Sequence, residues 1–415
     1  MTQTVQTATH ASDVIIVGAG PAGSYAALNL AKLATSVTVF EEHSQSGFPT
    51  HCAGHLSIRS LRNLGLYPLP EGIVENTFSK ANFYSPAGTK FSLCLSQPVT
   101  ASVNRALFDQ HLTKQAQEAG ARFVFDSYIH SLVKDDGFVK GVNVRQHGEK
   151  VEQGLSKVII DAEGISSRLL KQAGLQGLNR EGLLYGVEAE VENVQDVEPD
   201  AVEVYFGKAY APGLYGWLIP RLDGTAKFGL ATRSRNPREN LQRLMHRHPV
   251  ASQQLRASKI TKISYHAITL GGPINRSYAN GFLAVGDCAS QVKPTTGGGV
   301  ILSLTCAEIA AKTANSAIHQ GDVSENALQV YQKRCSDALR FDFNVMLRLR
   351  RFLDSLSDER LDEMLRVCSK FGVDKSLRNV DEIDFQGKML LQAAWKPSML
   401  ATMAYFVLLY FSTNA

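Results

Sequence analysis

The chain has 415 residues, 44% of them hydrophobic and 20% charged, and a formal net charge of +4, an ordinary globular composition long enough for about two or three domains. So small a charge excess, with basic residues scattered until Arg340, Arg348, Arg350 and Arg351, excludes a nucleic-acid partner. The six cysteines (Cys52, Cys94, Cys288, Cys306, Cys335, Cys368) have no C-x-x-C spacing and follow no secretory signal, which argues against a disulfide framework or metal site and for a reducing, cytoplasmic setting.

Residues 1–12 are polar, without an apolar run, Arg or Lys, and read as a short disordered leader rather than a targeting peptide. Asp13-Val14-Ile15-Ile16-Val17-Gly18-Ala19-Gly20-Pro21-Ala22-Gly23 then predicts a buried strand running into a glycine turn that opens a helix over 24–33. Such a turn holds a dinucleotide pyrophosphate: Gly18 permits the bend, Gly20 lets the backbone approach the phosphates, and Gly23 lets helix pack on strand. A second strand over 37–40 and an acid for a ribose hydroxyl, Glu41, complete the unit.

A loop over 46–55 follows, then a helix to 64, and a hairpin over 81–95 around Pro86-Ala87-Gly88. Asn104 and Arg105 open a helix that Gly120 ends. Strands are expected over 122–125, 138–145 and 158–164. From 183 to 270 the alternation predicts an inserted antiparallel sheet, with strands over 202–206, 215–220 and 226–232. Residues 281–287 read as a strand ending in Asp287, and Gly297, Gly298 and Gly299 precede a helix from Val300. Beyond Asn326 the pattern is helical and amphipathic. The apolar stretch 399–411 falls short of the roughly 18–20 residues a spanning helix needs, and is either a buried terminal helix or an interfacial anchor.

These separated segments resemble the geranylgeranyl reductase family, FAD-dependent enzymes that saturate isoprenoid chains, and particularly its archaeal members acting on digeranylgeranylglycerophospholipids. The elements are the N-terminal turn with Ala22, the Pro49-x-x-Cys52 loop, Arg105, Tyr215-x-Trp217-x-Ile219-Pro220, and Gly286-Asp287 with Pro294-x-x-Gly297-Gly298-Gly299. The resemblance implies an α/β flavoprotein: a discontinuous Rossmann-type FAD-binding domain (12–77, 101–180, 277–322), an antiparallel-sheet substrate domain (78–100, 181–276) and a helical C-terminal region (323–415). It implies that Asp287 meets hydroxyls of the cofactor, that 297–300 face the flavin, that Arg105 supports its phosphates, and that Cys52 and Ala53 lie on the flavin side. Tyr215, Trp217, Ile219 and Pro220 would line the isoprenoid path.

Relatives commonly read Cys-Gly-Glu-Gly where this chain has Cys52-Ala53-Gly54-His55. The proton donor is therefore open among Cys52, His55, the neighbouring His51 and an ordered water. Lys293 stands where relatives carry Asp or Asn, and Glu163 where they carry Asp. The implied partners are an isoprenoid lipid, an electron donor that is either NAD(P)H or ferredoxin-like, and a membrane surface on which the protein sits peripherally. A flavin monooxygenase or halogenase, and a non-catalytic isoprenoid-binding flavoprotein, are the competing expectations.

Overall fold

The computed structural model describes residues 10–146, 151–402 and 405. Most of the polar leader, and the apolar tail beyond 402 except Tyr405, lie outside them. Val14–Val17 takes the middle of a six-stranded sheet in the order Tyr278–Ala279, Phe282–Ala284, Val158–Asp161, Val14–Val17, Val37–Phe40, Arg122–Val124. From Phe282–Ala284 onward these strands are parallel. Parallel strands are covered on both faces, which is why they read as unbroken apolar runs. Val14 and Ile16 pack toward helices Pro21–Lys32, Arg105–Glu118 and Val300–Gln320. Ile15 and Val17 pack instead on Ile129, Val142 and Val144, which belong to a four-stranded sheet of His10–Ala11, Val151–Leu155, Phe138–Arg145 and Tyr128–Asp135.

Two expectations shift locally. The first helix begins at Pro21 rather than 24, because proline at the first helical position supplies its fixed φ and has no N–H to satisfy. The strand expected over 281–287 is only Phe282–Ala284. Gly286, at φ +82°, turns the chain, and Asp287 rides on the single turn Gly286–Ala289.

The other large sheet has seven strands, ordered Lys259–Thr269, Leu183–Glu192, Ala226–Thr232, Gly216–Pro220, Ala201–Tyr205, Lys80–Tyr84, Lys90–Cys94. One pair, Lys80–Tyr84 with Ala201–Tyr205, is parallel, so the sheet is not purely antiparallel as expected. The expectation of strands alone over 183–270 is also corrected, because a helix, Pro237–Arg247, lies within that stretch. Asn236 caps it by accepting the Glu239 N–H, and its Leu241, Leu244 and Met245 cover Val187, Leu218, Phe228 and Leu230 on one face of the sheet. On the opposite face Leu184, Ala231, Trp217 and Ile268 pack with Leu270 and Val292.

Beyond the 31-residue helix Glu325–Ser355, helices Asp358–Lys370, Val373–Leu377 and Gln386–Ala394 close the outer end of the seven-stranded sheet. Leu361, Met364, Leu365 and Met399 pack with Phe91 of Lys90–Cys94, each contributing about 1.5–3 kcal/mol by its burial. Met399, at the start of the apolar tail, is therefore core, while Leu400 beside it is exposed. Among the described residues, no helix is long and apolar enough to cross a membrane.

Candidate active site

The three glycines of the first turn perform separable jobs. At Gly18, φ is +97° and a Cβ would stand 2.5 Å from the Ala162 carbonyl oxygen. A Cβ at Gly23 would stand 1.9 Å from the Gly18 oxygen, so helix and turn meet with no gap. Gly20 differs: a Cβ there meets nothing within 4 Å, and the residue lines a cavity of about 590 Å³ with Gly18, Ala22 and Glu41. The helix N-terminus behind it suits an anion. The Glu41 carboxylate braces the turn, accepting the Ala19 N–H at 2.7 Å and the His43 N–H at 3.0 Å.

Across the cavity stands Asp287. Burial pushes its pKa up, opposed by Arg105, and its carboxylate accepts no hydrogen bond from the described residues. The residue is half-buried and opens onto the cavity, which places its carboxylate to accept a ligand's hydroxyl donors. Gly297, Gly299 and Val300 line the same cavity at the N-terminus of the 21-residue helix Val300–Gln320, where a developing negative charge is favoured. Gly298 does not line it and is turned onto Lys293, whose Cε would lie 2.8 Å from an added Cβ.

The loop over 46–55 forms a third wall. Cys52 and His51 line the cavity; Ala53 and His55 do not. Arg105 lines it too, and its guanidinium donates to both Asp109 oxygens at 3.1 and 3.0 Å. Burial works against the Arg105 charge, but Asp109 outweighs that and raises its pKa. Its charge toward any phosphate is thus already partly compensated. His55, on strand His55–Ser57, shares a 2.7 Å hydrogen bond with Thr100 Oγ1 and stands edge-on to Phe78. Burial first, then Lys293, lowers its pKa to about 4.

Sequence reasoning missed what holds this loop. Lys227, buried in Ala226–Thr232, donates to the Ala53 carbonyl at 2.9 Å and the Val103 carbonyl at 3.0 Å, and pairs with Glu75 at 2.6 Å. Lys262 donates to Thr50 Oγ1 at 2.6 Å. A lone lysine in an otherwise apolar strand was the available signal. His266 was also missed. It lines the cavity, its ring is 5.5 Å from that of His51, and its buried Nδ1 has no hydrogen-bond partner among the described residues.

Tyr215, Trp217, Ile219 and Pro220 are not lining residues of the cavity. Tyr215 donates to the Thr296 carbonyl at 3.1 Å, and Trp217 Nε1 donates to Glu188 at 3.1 Å. The indole lies against Gly229, where a Cβ would come within 2.6 Å of the ring. Tyr215 and Trp217 pack with Ile268 and Val292, which do line the cavity, while Ile219 and Trp217 pack with Ala53 and Phe78. Pro220 ends the strand, its carbonyl accepting from Asn76 at 3.0 Å.

A glycine turn at a helix N-terminus on one side, an unsatisfied carboxylate and a second glycine turn on the other, and a parallel sheet beneath define a flavoprotein whose cofactor is FAD. Residues 11–340 match the FAD binding domain family. Digeranylgeranylglycerophospholipid reductase 2 of Methanothermobacter thermautotrophicus is 35% identical over 85% of this chain and 91% of its own length. A geranylgeranyl bacteriochlorophyll reductase-like structure from Thermoplasma acidophilum superposes with TM-score 0.84 at 25% identity, covering 96% of this chain and 99% of that one. The flavin-dependent brominase Bmp2, at TM-score 0.70 and 19% identity over 95% and 98% of the two chains, is alike in fold alone. The chain belongs to the FAD-binding digeranylgeranylglycerophospholipid reductase family.

Proposed function

We propose that the protein reduces the prenyl double bonds of a digeranylgeranylglycerophospholipid. Kinship supports the substrate class. The observation that carries the chemistry is a cavity whose FAD-binding walls meet Cys52 on one side and, through Ile268 and Val292, the apolar layer of Tyr215 and Trp217 on another. Gly18, Gly20, Ala22 and Glu41 hold the dinucleotide end, with Arg105 near its phosphates, and Gly23, which does not line the cavity, packs the helix onto the turn. Asp287, Gly297, Gly299 and Val300 hold the flavin end, and Gly298 shapes the turn from behind. Bound FAD, once reduced, supplies the hydride.

An isolated alkene has no carbonyl to polarise, so rate must come from close positioning in a water-poor site. Lys227 and Lys262 fix the loop that carries Cys52, which makes its thiol a positioned group rather than a mobile one. Of the proton-donor candidates, His51 and Cys52 line the cavity; burial lowers the His51 pKa and disfavours its protonated form, so the donor assigned is the Cys52 thiol beside Arg105. His55 is turned away and neutral at pH 7. Cys52→Ala is expected to keep the fold and the flavin while slowing alkene reduction about a hundredfold, the low end of what a general acid contributes; parent-like kinetics would assign it a packing role.

Membrane association rests on the apolar substrate and on Leu391, Trp395 and Leu400, which are 55, 82 and 52% exposed. An indole and two leucines beside Lys388 and Lys396 suit an interfacial contact. Vesicle sedimentation of Trp395→Glu should fall while flavin content holds. The deciding experiment for function is anaerobic: dithionite-reduced protein with an unsaturated archaeal-type ether phospholipid should give product heavier by two hydrogens per bond reduced. Product that forms only with oxygen would replace the reductase with a monooxygenase or halogenase, and lipid binding without mass change would make it a carrier.

A further inference from the structure

Lys293 and Asp384 form an ion pair with side chains only 9 and 3% exposed. It joins the second glycine turn to the C-terminal region, in the stretch between Val373–Leu377 and Gln386–Ala394. A second bond runs beside it, from Thr295 Oγ1 to Gln386 Oε1 at 2.6 Å. Lys293 also frames the turn with its backbone, donating to the Gly298 carbonyl at 3.1 Å and accepting the Gly297 N–H at 2.9 Å. Its ammonium lies behind the turn, with Nζ 3.1 Å from where a Gly298 Cβ would stand. Gly297 and Gly299 present the other side to the cavity.

A buried ion pair adds little net stability over apolar side chains of similar size. Its distinguishing property is the field it creates. The ammonium end adjoins the turn that leads into the positive end of Val300–Gln320, while the carboxylate belongs to the C-terminal region, its Oδ2 buried without a partner among the described residues. Two-electron reduction adds negative charge to a flavin in the cavity. We propose that the Lys293–Asp384 pair sets the reduction potential of the bound flavin, the ammonium favouring the reduced form and Asp384 limiting that preference. The inference rests on FAD as the cofactor, which flavin content reports separately. It makes the C-terminal region part of the redox machinery.

The test is the midpoint potential of the full-length holoenzyme carrying Lys293→Met, Asp384→Asn, or both. Lys293→Met should weaken binding of reduced relative to oxidised FAD about tenfold, a fall of about 30 mV for a two-electron couple. Asp384→Asn should move the potential upward, and the double variant should lie between the two. Lys293→Arg should keep the parent potential. If the two single variants shift in the same direction, or neither shifts, the pair is only a tether and the proposal fails. Should Lys293→Met not retain FAD, the upward shift in Asp384→Asn and the unchanged Lys293→Arg still decide it.

Discussion

The two glycine turns that bound the cavity are built in opposite ways. Around the first, the atoms that forbid a side chain are main-chain atoms: the Ala162 carbonyl against Gly18 and the Gly18 carbonyl against Gly23. Around the second they are side chains: Ile268 against Gly297, Lys293 against Gly298, and Asp287 with Val292 against Gly299. Main chain held in a parallel sheet cannot step aside, whereas a lysine methylene can. The pyrophosphate end is thus a rigid template, and the flavin end is a surface whose shape and charge the surrounding side chains can adjust.

That contrast is open to breaking, most severely at Gly23. Gly23→Ala drives a methyl into a carbonyl 1.9 Å away and is expected to cost more than about 3 kcal/mol, a large part of a typical 5–15 kcal/mol stability. A melting temperature near the parent's would reveal slack in the template. Gly20→Val should separate fold from ligand: circular dichroism melts of the apoprotein stay near the parent, while FAD retention on desalting drops at least about a hundredfold because the side chain fills the space the phosphates need. Full retention would remove Gly20 from the cofactor site.

Gly298→Ala is expected to cost only about 1 kcal/mol with FAD still bound. Because its obstacle is Lys293, the cost should shrink in a Lys293→Ala background, a coupling that a denaturant double-mutant cycle measures. The smallest effect concerns His55. Burial disfavours its charged form and lowers its pKa to about 4, so it is neutral throughout the neutral range. His55→Asn should leave the rate profile between about pH 6 and 8 unchanged. A lost inflection there would make His55 the acid after all.

The rigid turn was legible in sequence for the reason that makes it rigid: strand, glycines, helix and acid are contiguous. The strands Val37–Phe40 and Ala226–Thr232 occupy the spans their patterns predict. The adjustable half was legible only as motifs. Asp287 and the 297–299 run stand out, but nothing local marks Lys293 as the partner of Asp384, 91 residues away. The strand Lys259–Thr269 escaped because it is a largely exposed sheet edge, so no apolar alternation announces it. Pro237–Arg247 escaped because strand patterning around it dominated, although its Asn-Pro start is a helix signal. Lys227 was hidden by the rarity of buried lysines, and its role depends on Glu75, Ala53 and Val103 arriving from elsewhere in the chain.

The parallel sheet carries a consequence for how the protein is made. Its central strand ends at Val17, yet the neighbour of Val158–Asp161 is Phe282–Ala284, and the second turn follows later still. On a ribosome adding about 5–20 residues per second, the first glycine turn emerges tens of seconds before the strand and turn that finish its site. Nascent chain of that length has a nucleotide template with no opposite wall. Capture of the cofactor is therefore a late event of biosynthesis, possible only once both walls of the cavity have been made.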